Sequence, residues 1–425
     1  MKLLLKNGRV VDPSKKIDKR LDILIENDRI ADLRAVIPSS GIETIDLDGL
    51  VVAPGFIDMH VHLREPGRED EETIETGTKA AAAGGFTTIA CMPNTEPVND
   101  DQAVTEYILS LARKASSVHV HPIGCITKGM RGEELAQIGD LVESGVVAVT
   151  DDGKGVASAI MMRKALEYTK MFGIPVIEHC EDLPLTDGGV MNEGYYSTIL
   201  GLRGMPSIAE DVMAIRDILL TKMTGGRLHI AHVSTHGCVG MIRDAKKQKI
   251  RVTCEATPHH FTLTDAALVD YDTNMKMNPP LRSVADRKGI IEGLRDGTID
   301  AIATDHAPHN SIEKNVEFNQ APFGIIGLET AVSLALDRLV NRKIISISRL
   351  VELMSVNPAK ILNLNKGTLA RGREADITVL DLNRKVKVDV SRFRSKSRNT
   401  PFHGWTLKGA PVMTIVSGNI VNDSR

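Results

Sequence analysis

Phe56-Ile57-Asp58-Met59-His60-Val61-His62 is the stretch from which both the fold and the chemistry of this chain are read. It is a short, largely apolar run that ends in two histidines, the pattern of a buried strand with function at its end. Residues i and i+2 of a strand point the same way, so His60 and His62 can bind one ion together. A lone pair of this kind also fits ordinary packing, so its weight depends on what ends the other strands. The next residues, Leu63-Arg64-Glu65-Pro66-Gly67, leave the strand and set a cation beside the pair.

Working outward, short apolar runs alternate with helical patterns, the mark of repeated βα units. The expected strands are Phe56 to His62, Phe86 to Met92, Ser117 to Gly124, Val146 to Thr150, Ile174 to His179, Leu228 to Val233, Ile250 to Glu255 and Ile299 to Thr304. Helical patterns such as Ala159 to Phe172, Ile208 to Met223 and Asp286 to Asp296 lie between them. Eight parallel strands separated by helices fit a closed α/β architecture, a TIM-like (β/α)8 barrel. An open doubly wound sheet is the alternative, and the Gly-rich phosphate loop it normally carries is missing.

Outside this region the rhythm is that of plain strands. Leu3 to Val11 and Leu21 to Arg34, with a turn at Glu26-Asn27-Asp28, precede it. Ala375 to Asp381 and Pro411 to Val421, with a hairpin turn at Ser417-Gly418-Asn419, follow it. The two ends are expected to form one small β-sandwich domain, with residues 1–53 and 366–425 flanking a catalytic barrel of residues 54–365.

Composition narrows the function. A net charge of -3 offers no nucleic-acid or polybasic membrane footprint, and 3% aromatic residues offer no stacking platform for single strands. The five cysteines are scattered without a CxxC pair, which excludes a disulfide scaffold or zinc knuckle. The apolar start at Leu3-Leu4-Leu5 is too short for a signal peptide, and no run reaches the roughly 18 apolar residues of a membrane span. The cytoplasm is the expected compartment.

If the strands close into a barrel, ligands belong at their C-terminal ends. Asp152 follows the fourth strand, His179 ends the fifth, His232 lies at the end of the sixth and Asp305 follows the eighth. With His60 and His62 they make four histidines and two carboxylates from five strand ends. Such a donor set without thiolate suits Zn2+, or Mn2+ and Co2+ in its place. Six ligands exceed one open tetrahedral site and suit two ions about 3.5–4 Å apart sharing a carboxylate and a hydroxide.

These motifs resemble the amidohydrolase superfamily and, within it, the bacterial class I dihydroorotases, over essentially the whole chain. The resemblance runs through Gly55-Phe56-Ile57-Asp58-Met59-His60-Val61-His62-Leu63-Arg64-Glu65-Pro66-Gly67, Met92-Pro93-Asn94-Thr95, Thr150-Asp151-Asp152-Gly153 and Glu178-His179-Cys180-Glu181-Asp182. It continues through Ile230-Ala231-His232-Val233-Ser234, Asn278-Pro279-Pro280-Leu281-Arg282, Ala303-Thr304-Asp305-His306-Ala307-Pro308-His309 and Gly324-Ile325-Ile326-Gly327-Leu328-Glu329-Thr330.

The resemblance implies that His60, His62 and Asp305 bind one Zn2+ and that His179 and His232 bind a second. Asp152 and a hydroxide would bridge the two, with Asp151 supporting the turn. Many relatives bridge with a carboxylated lysine instead, for which Lys154 is the nearest alternative. The implied reaction is reversible cyclisation of N-carbamoyl-L-aspartate to (S)-dihydroorotate and water in pyrimidine biosynthesis, with Asp305 as catalytic proton shuttle. Arg64, helped by Asn94 and His309, would bind the substrate carboxylate, a bidentate task for guanidinium. Asn278, Phe323 and Gly324 would contact the ring, with His62 also near substrate. His306, His259 and His260 are expected to pack or support. Ile312 to Phe323 is a plausible lid. The family further implies a homodimer and, in some members, association with aspartate transcarbamoylase.

The nearest rivals are allantoinase and hydantoinase-type cyclic amidohydrolases, which favour the carbamylated lysine. Allantoinases commonly have Asn where Arg64 stands, and hydantoinase substrates lack the carboxylate that Arg64 would pair with. A non-catalytic scaffold for aspartate transcarbamoylase is the alternative of another class, and such proteins lose metal ligands that are present here.

Overall fold

The computed structural model describes residues 2–425. Met1, the first residue of the expected N-terminal part, lies outside them. Strands Phe56–Val61, Phe86–Cys91 and His119–Pro122 pair in parallel in that order. A second parallel sheet orders Val176–Glu178, Leu228–Ile230, Val252–Ala256 and Ala301–Ile302. Parallel bridges join the two sheets on both sides. Val149 bridges Gly124 and Val176, and Val61 bridges His306, so the pairing returns to where it began.

The expected strand at Val146 to Thr150 is not a regular strand, although its backbone is bonded on both sides. Gly124 donates to Ala148 and Thr150 to Gly124, while Ile177 donates to Val149. Its neighbours at this level include Pro122 and Pro175, which have no N–H to give, and the ladder is interrupted there. The other expected strands are shorter than read from sequence, several of them losing residues at both ends and Val252–Ala256 only at its start.

Helices fill the crossovers with ordinary local chemistry. Ala159–Phe172 begins where Ser158 accepts from the Met161 N–H and stops at Gly173, whose φ of 70° is left-handed. Inside the ring, Met59, Ala90, Met92, Ile123, Ala148, Ile177, Ala231, Ala301 and Ala303 form a buried cluster drawn from seven strand segments. Most are small, which lets facing strands share one narrow interior.

Both chain ends build one β unit, as expected, but by hydrogen bonding it is one sheet and not a two-sheet sandwich. The order is Asn419–Asp423, Thr406–Val416, Ile377–Lys387, Val51–Pro54, Lys2–Asp12, Ile17–Glu26 and Arg29–Arg34, with Glu43–Asp46 also on Lys2–Asp12. The long first strand explains the difference. Its register shifts between Leu5 and Gly8, where Asn7 has a φ of 65°, and its one edge serves Glu43–Asp46 first and Val51–Pro54 next. A bulge bends a strand, and the sheet closes over its own core of Leu3, Leu5, Ile23, Ile25, Ile377, Val379 and Ile415. The five cysteines are free and buried. Among the described residues no helix is long and apolar enough to cross a membrane.

Candidate active site

The six expected donors meet at one end of the ring, all buried. His60 Nε2 lies 3.5 Å from both Asp152 Oδ1 and Asp305 Oδ1. His62 Nε2 lies 3.1 Å from Asp305 Oδ1 and 3.5 Å from Asp152 Oδ2. His232 Nε2 and His179 Nδ1 lie 3.5 and 3.7 Å from Asp152 Oδ1. Asp152 thus touches all four histidines. Two donor groups overlap here, His60–His62–Asp305 and His60–Asp152–His232.

These spacings fit a shared cation. Donors bound at about 2.0–2.2 Å around a tetrahedral ion lie roughly 3.4 Å from one another. His60 Nε2 and Asp152 Oδ1 are moreover buried without a hydrogen-bond partner. The electrostatics ask for positive charge at the centre. Burial alone would lower His179, yet Asp152 and Glu181 hold it up to about 10. Burial likewise opposes the Asp152 carboxylate, and the surrounding histidines still hold it well below the usual carboxylate range.

Neighbouring groups set each ring. His62 Nδ1 lies 2.8 Å from Asn94 Oδ1, and His60 Nδ1 lies 2.8 Å from Glu255 Oε1. His179 Nε2 lies 3.1 Å from Glu181 Oε2, which also accepts from Asn278 Nδ2 at 2.7 Å. Asp151 accepts from the Ile126 and Thr127 N–H groups and so anchors the turn that presents Asp152. Three residues here have left-handed backbones, Arg64 (φ 60°), His232 (φ 30°) and Asp305 (φ 49°). Such conformations cost about 1–3 kcal/mol each and persist where surroundings over-determine them.

Arg64 is drawn inward and pairs with Glu71. Its side chain is 13% exposed, with Nε 3.1 Å from Glu71 Oε2 and donating to Pro308 O at 3.1 Å. His309 lies against it, with Nε2 3.5 Å from Arg64 Nη2, and uses Nδ1 toward Glu71 at 2.8 Å and Nε2 toward Phe323 O at 2.8 Å. Gly324 sits beside this group with φ 122°, and a Cβ there would meet Ala307 Cβ at 2.6 Å, so only glycine fits. Asn399 Nδ2 ties the two segments by donating to Ala307 O and Gly324 O.

Other expectations resolve plainly. Lys154 is exposed, whereas the six donors are buried. His306 bonds to Glu72 and accepts from Gly327 N–H, and His260 faces Thr257 and Pro279 O, so both support packing. The expected lid, Ile312 to Phe323, is anchored by Lys314, whose buried Nζ donates to Thr273 O and Pro322 O. Sequence reading missed Glu71, Glu255, His229 and Asn399. Glu71 had a nearby signal, the acidic run Glu69-Asp70-Glu71-Glu72 that follows Arg64, and Glu255 had another as the last residue of the expected strand Ile250 to Glu255.

A model described as dihydro-orotase-like matches residues 49–237, and one described as amidohydrolase family matches residues 290–422. The chain is 55% identical over 419 residues to a dihydroorotase of Acetivibrio thermocellus, covering 99% of this chain and 98% of that one. It is 56% identical over 422 residues to a dihydroorotase of Geobacter metallireducens, covering 99% of each. Among solved structures it is similar to an L-hydantoinase (dihydropyrimidinase) from Arthrobacter aurescens, with TM-score 0.90 and 29% identity over 99% of this chain and 96% of that one. A dihydropyrimidinase from Brevibacillus agri matches with TM-score 0.86 and 23% identity over 100% of this chain and 95% of that one, a likeness of fold. With full-length relatives at this identity and a buried histidine–aspartate cluster at the mouth of the ring, the chain belongs to the dihydroorotase family.

Proposed function

We propose that this protein catalyses the reversible cyclisation of N-carbamoyl-L-aspartate to (S)-dihydroorotate and water, the dihydroorotase step of pyrimidine biosynthesis. The observation that carries the substrate choice is Arg64, buried beside the donor cluster and oriented by Glu71, with no protein acceptor on Nη1 among the described residues. A cyclic amide without a carboxylate has nothing to offer that edge, which separates this reading from the allantoinase and hydantoinase alternatives.

His60, His62 and Asp305 would hold one Zn2+, and His179 and His232 a second, with Asp152 between them. When bound, such ions supply Lewis-acid polarisation of a carbonyl and activation of water at neutral pH. The chain's own residues do the rest. Asp305, kept ionised by its histidine neighbours despite burial, would in the hydrolytic direction take a proton from water at Oδ1 and return it to the leaving ring nitrogen, and in cyclisation run the same transfer backward. Arg64, with Asn94 and His309, orients the substrate carboxylate. Asn278 and the backbone at Phe323 and Gly324 face the ring, and the anchored Ile312 to Phe323 segment limits water. All six donors remain, which disfavours the scaffold-only alternative.

The same reading takes the closed ring of residues 54–365 as a (β/α)8 barrel, flanked by the β domain of 1–53 and 366–425. It includes a cytoplasmic homodimer and an association with aspartate transcarbamoylase, both resting on the family resemblance. The test is turnover of dihydroorotate, allantoin and dihydrouracil side by side by Zn2+-loaded protein. Preference for dihydroorotate is expected, preference for either other substrate overturns the assignment, and absence of all turnover restores the scaffold alternative.

A further inference from the structure

His121 faces the interior of the ring at the end away from the six donors. Its strand neighbour Ala90 belongs to the inner cluster, and so does Ile123, two residues nearer the donors' end of the strand. His121 Nε2 is buried without a hydrogen-bond partner. With Leu364, which packs on the same cluster, His121 lines a cavity of about 460 Å³ whose other walls come from Arg29 and residues 365–374. The basic side chains of those walls are Arg29, Lys366, Arg371 and Arg373. A smaller hollow of about 190 Å³ shares Leu364, Lys366 and Arg373 and adds Lys15 and Lys360. Among the described residues lining the two, Glu374 is the sole carboxylate. In a chain of net charge -3 this is a local concentration of positive charge in a concave site.

The guanidiniums are held in place yet largely unspent. Gly372 N–H donates to Ile30 O at 2.7 Å and Ile30 N–H to Arg373 O at 2.9 Å, which fixes the segment carrying Arg371 and Arg373 against Arg29. Arg29 Nη1 donates to Gly372 O at 2.9 Å and Arg373 Nη1 to Asn365 Oδ1, one of five N–H groups in each case. Arg371 has no protein acceptor among the described residues. The carboxylates nearby are already engaged. Glu374 accepts from Lys366 Nζ at 2.9 Å and from Ser417 Oγ at 2.6 Å, and Asp376 lies 2.5 Å from Lys366 Nζ. Asp28 lies 3.7 Å from Arg29 Nε and is itself solvated. Lys366 is thereby neutralised, whereas Arg371 and Arg373 keep their charge without a counter-ion.

We propose that this cavity binds the linked phosphates of a small phosphorylated metabolite, with the phosphates on Arg371 and Arg373 and the organic end against His121 and Leu364. Guanidinium meets phosphate oxygens bidentately, and linked phosphates carry the several negative charges that two unpaired arginines beside further lysines call for. The volume falls within the range of small-molecule sites, about 300–1,000 Å³, and exceeds what a single inorganic phosphate fills. An inner wall of imidazole and leucine suits a ring or carbon skeleton, and a polar atom on that skeleton gives His121 Nε2 the partner it lacks. The site is separate from the substrate assignment, and its failure leaves that assignment standing.

The test is isothermal titration calorimetry of the Zn2+-loaded full chain with ATP, inorganic pyrophosphate and succinate. It compares wild type, Arg371→Gln combined with Arg373→Gln, and Arg64→Met. Saturable binding of ATP to wild type is expected, with affinity falling as salt rises. The double variant should weaken it by at least about 10-fold, the loss of hydrogen bonds to a charged group, with dihydroorotate turnover and far-UV circular dichroism unchanged. Arg64→Met should leave binding unchanged, which separates this cavity from the donor cluster. Tighter binding of ATP than of pyrophosphate identifies a nucleotide as the source and equal binding identifies pyrophosphate, and either supports the site. Absence of binding by both phosphate probes, loss of binding in Arg64→Met but not in the double variant, or succinate binding as tightly as pyrophosphate would each overturn the proposal.

Discussion

His60 Nδ1 lies 2.8 Å from Glu255 Oε1, and the second oxygen of that carboxylate lies 3.3 Å from His229 Nε2. All three side chains are buried, and Thr253 Oγ1 lies 2.9 Å from the far nitrogen of His229. The chain of contacts runs from the site into strands Val252–Ala256 and Leu228–Ile230 and leaves His60 Nε2 as the atom facing the other donors. A carboxylate behind a ligating imidazole fixes its tautomer and raises its basicity. Glu255→Gln is therefore expected to weaken Zn2+ binding by about 10–100-fold, read by equilibrium dialysis with metal analysis. Unchanged affinity would mean that Glu255 only fills space.

Arg64 answers a different question, that of substrate choice. Arg64→Met should lower kcat/KM for dihydroorotate by roughly 10–150-fold, the loss of about 1.5–3 kcal/mol for a hydrogen bond to a charged group, mainly through KM. Glu71→Gln should move it the same way by less, because Glu71 aims the guanidinium without touching substrate. Steady-state kinetics decide it. An unchanged KM in Arg64→Met would remove the carboxylate role.

For Asp305, the expected outcome of Asp305→Asn is a fall in kcat of about 10²–10⁴-fold, the usual weight of a positioned acid–base group. Because Asp305 also lies among the donors, metal content is measured on the same sample. Full activity with full metal content would exclude the proton-transfer role.

Asp376 reports on how the β domain is joined to the ring. It lies 2.5 Å from Lys366 Nζ and 3.2 Å from His119 Nε2, and it accepts from the Ser417 N–H. Burial pushes its carboxyl up, but His119 and Lys366 outweigh this and hold it below the usual range. A carboxyl depressed in the folded state stabilises above its unfolded pKa, and the contribution is lost as pH falls through the folded value. Asp376→Asn should destabilise by about 1–3 kcal/mol at neutral pH, with the gap to wild type closing in acid. Denaturant titrations at pH 7 and in the acid range test this, and a gap independent of pH would contradict it.

Much was legible from sequence because local patterns carry it. The helical pattern expected at Ala159 to Phe172 is a helix over those residues, and the structure shows Ser158 capping it and Gly173 ending it. The i, i+2 histidines and the residues closing later strands come together because parallel strands of a ring all end at one mouth. The strand at Val146 to Thr150 and the sandwich were read less well. Proline-interrupted pairing and a mid-strand bulge are decided by neighbours distant in the chain.

By itself, the sequence determined which histidines and carboxylates gather and which end of each strand they occupy, since strand periodicity and βα alternation are local properties. Only the tertiary structure decided their partners. Glu255 behind His60, Glu71 between Arg64 and His309, and Asn399 across Ala307 and Gly324 join residues 195, 238 and 92 or 75 positions apart. Such pairings arise when buried polar groups must be satisfied in one packed arrangement, a requirement that no stretch of sequence expresses alone.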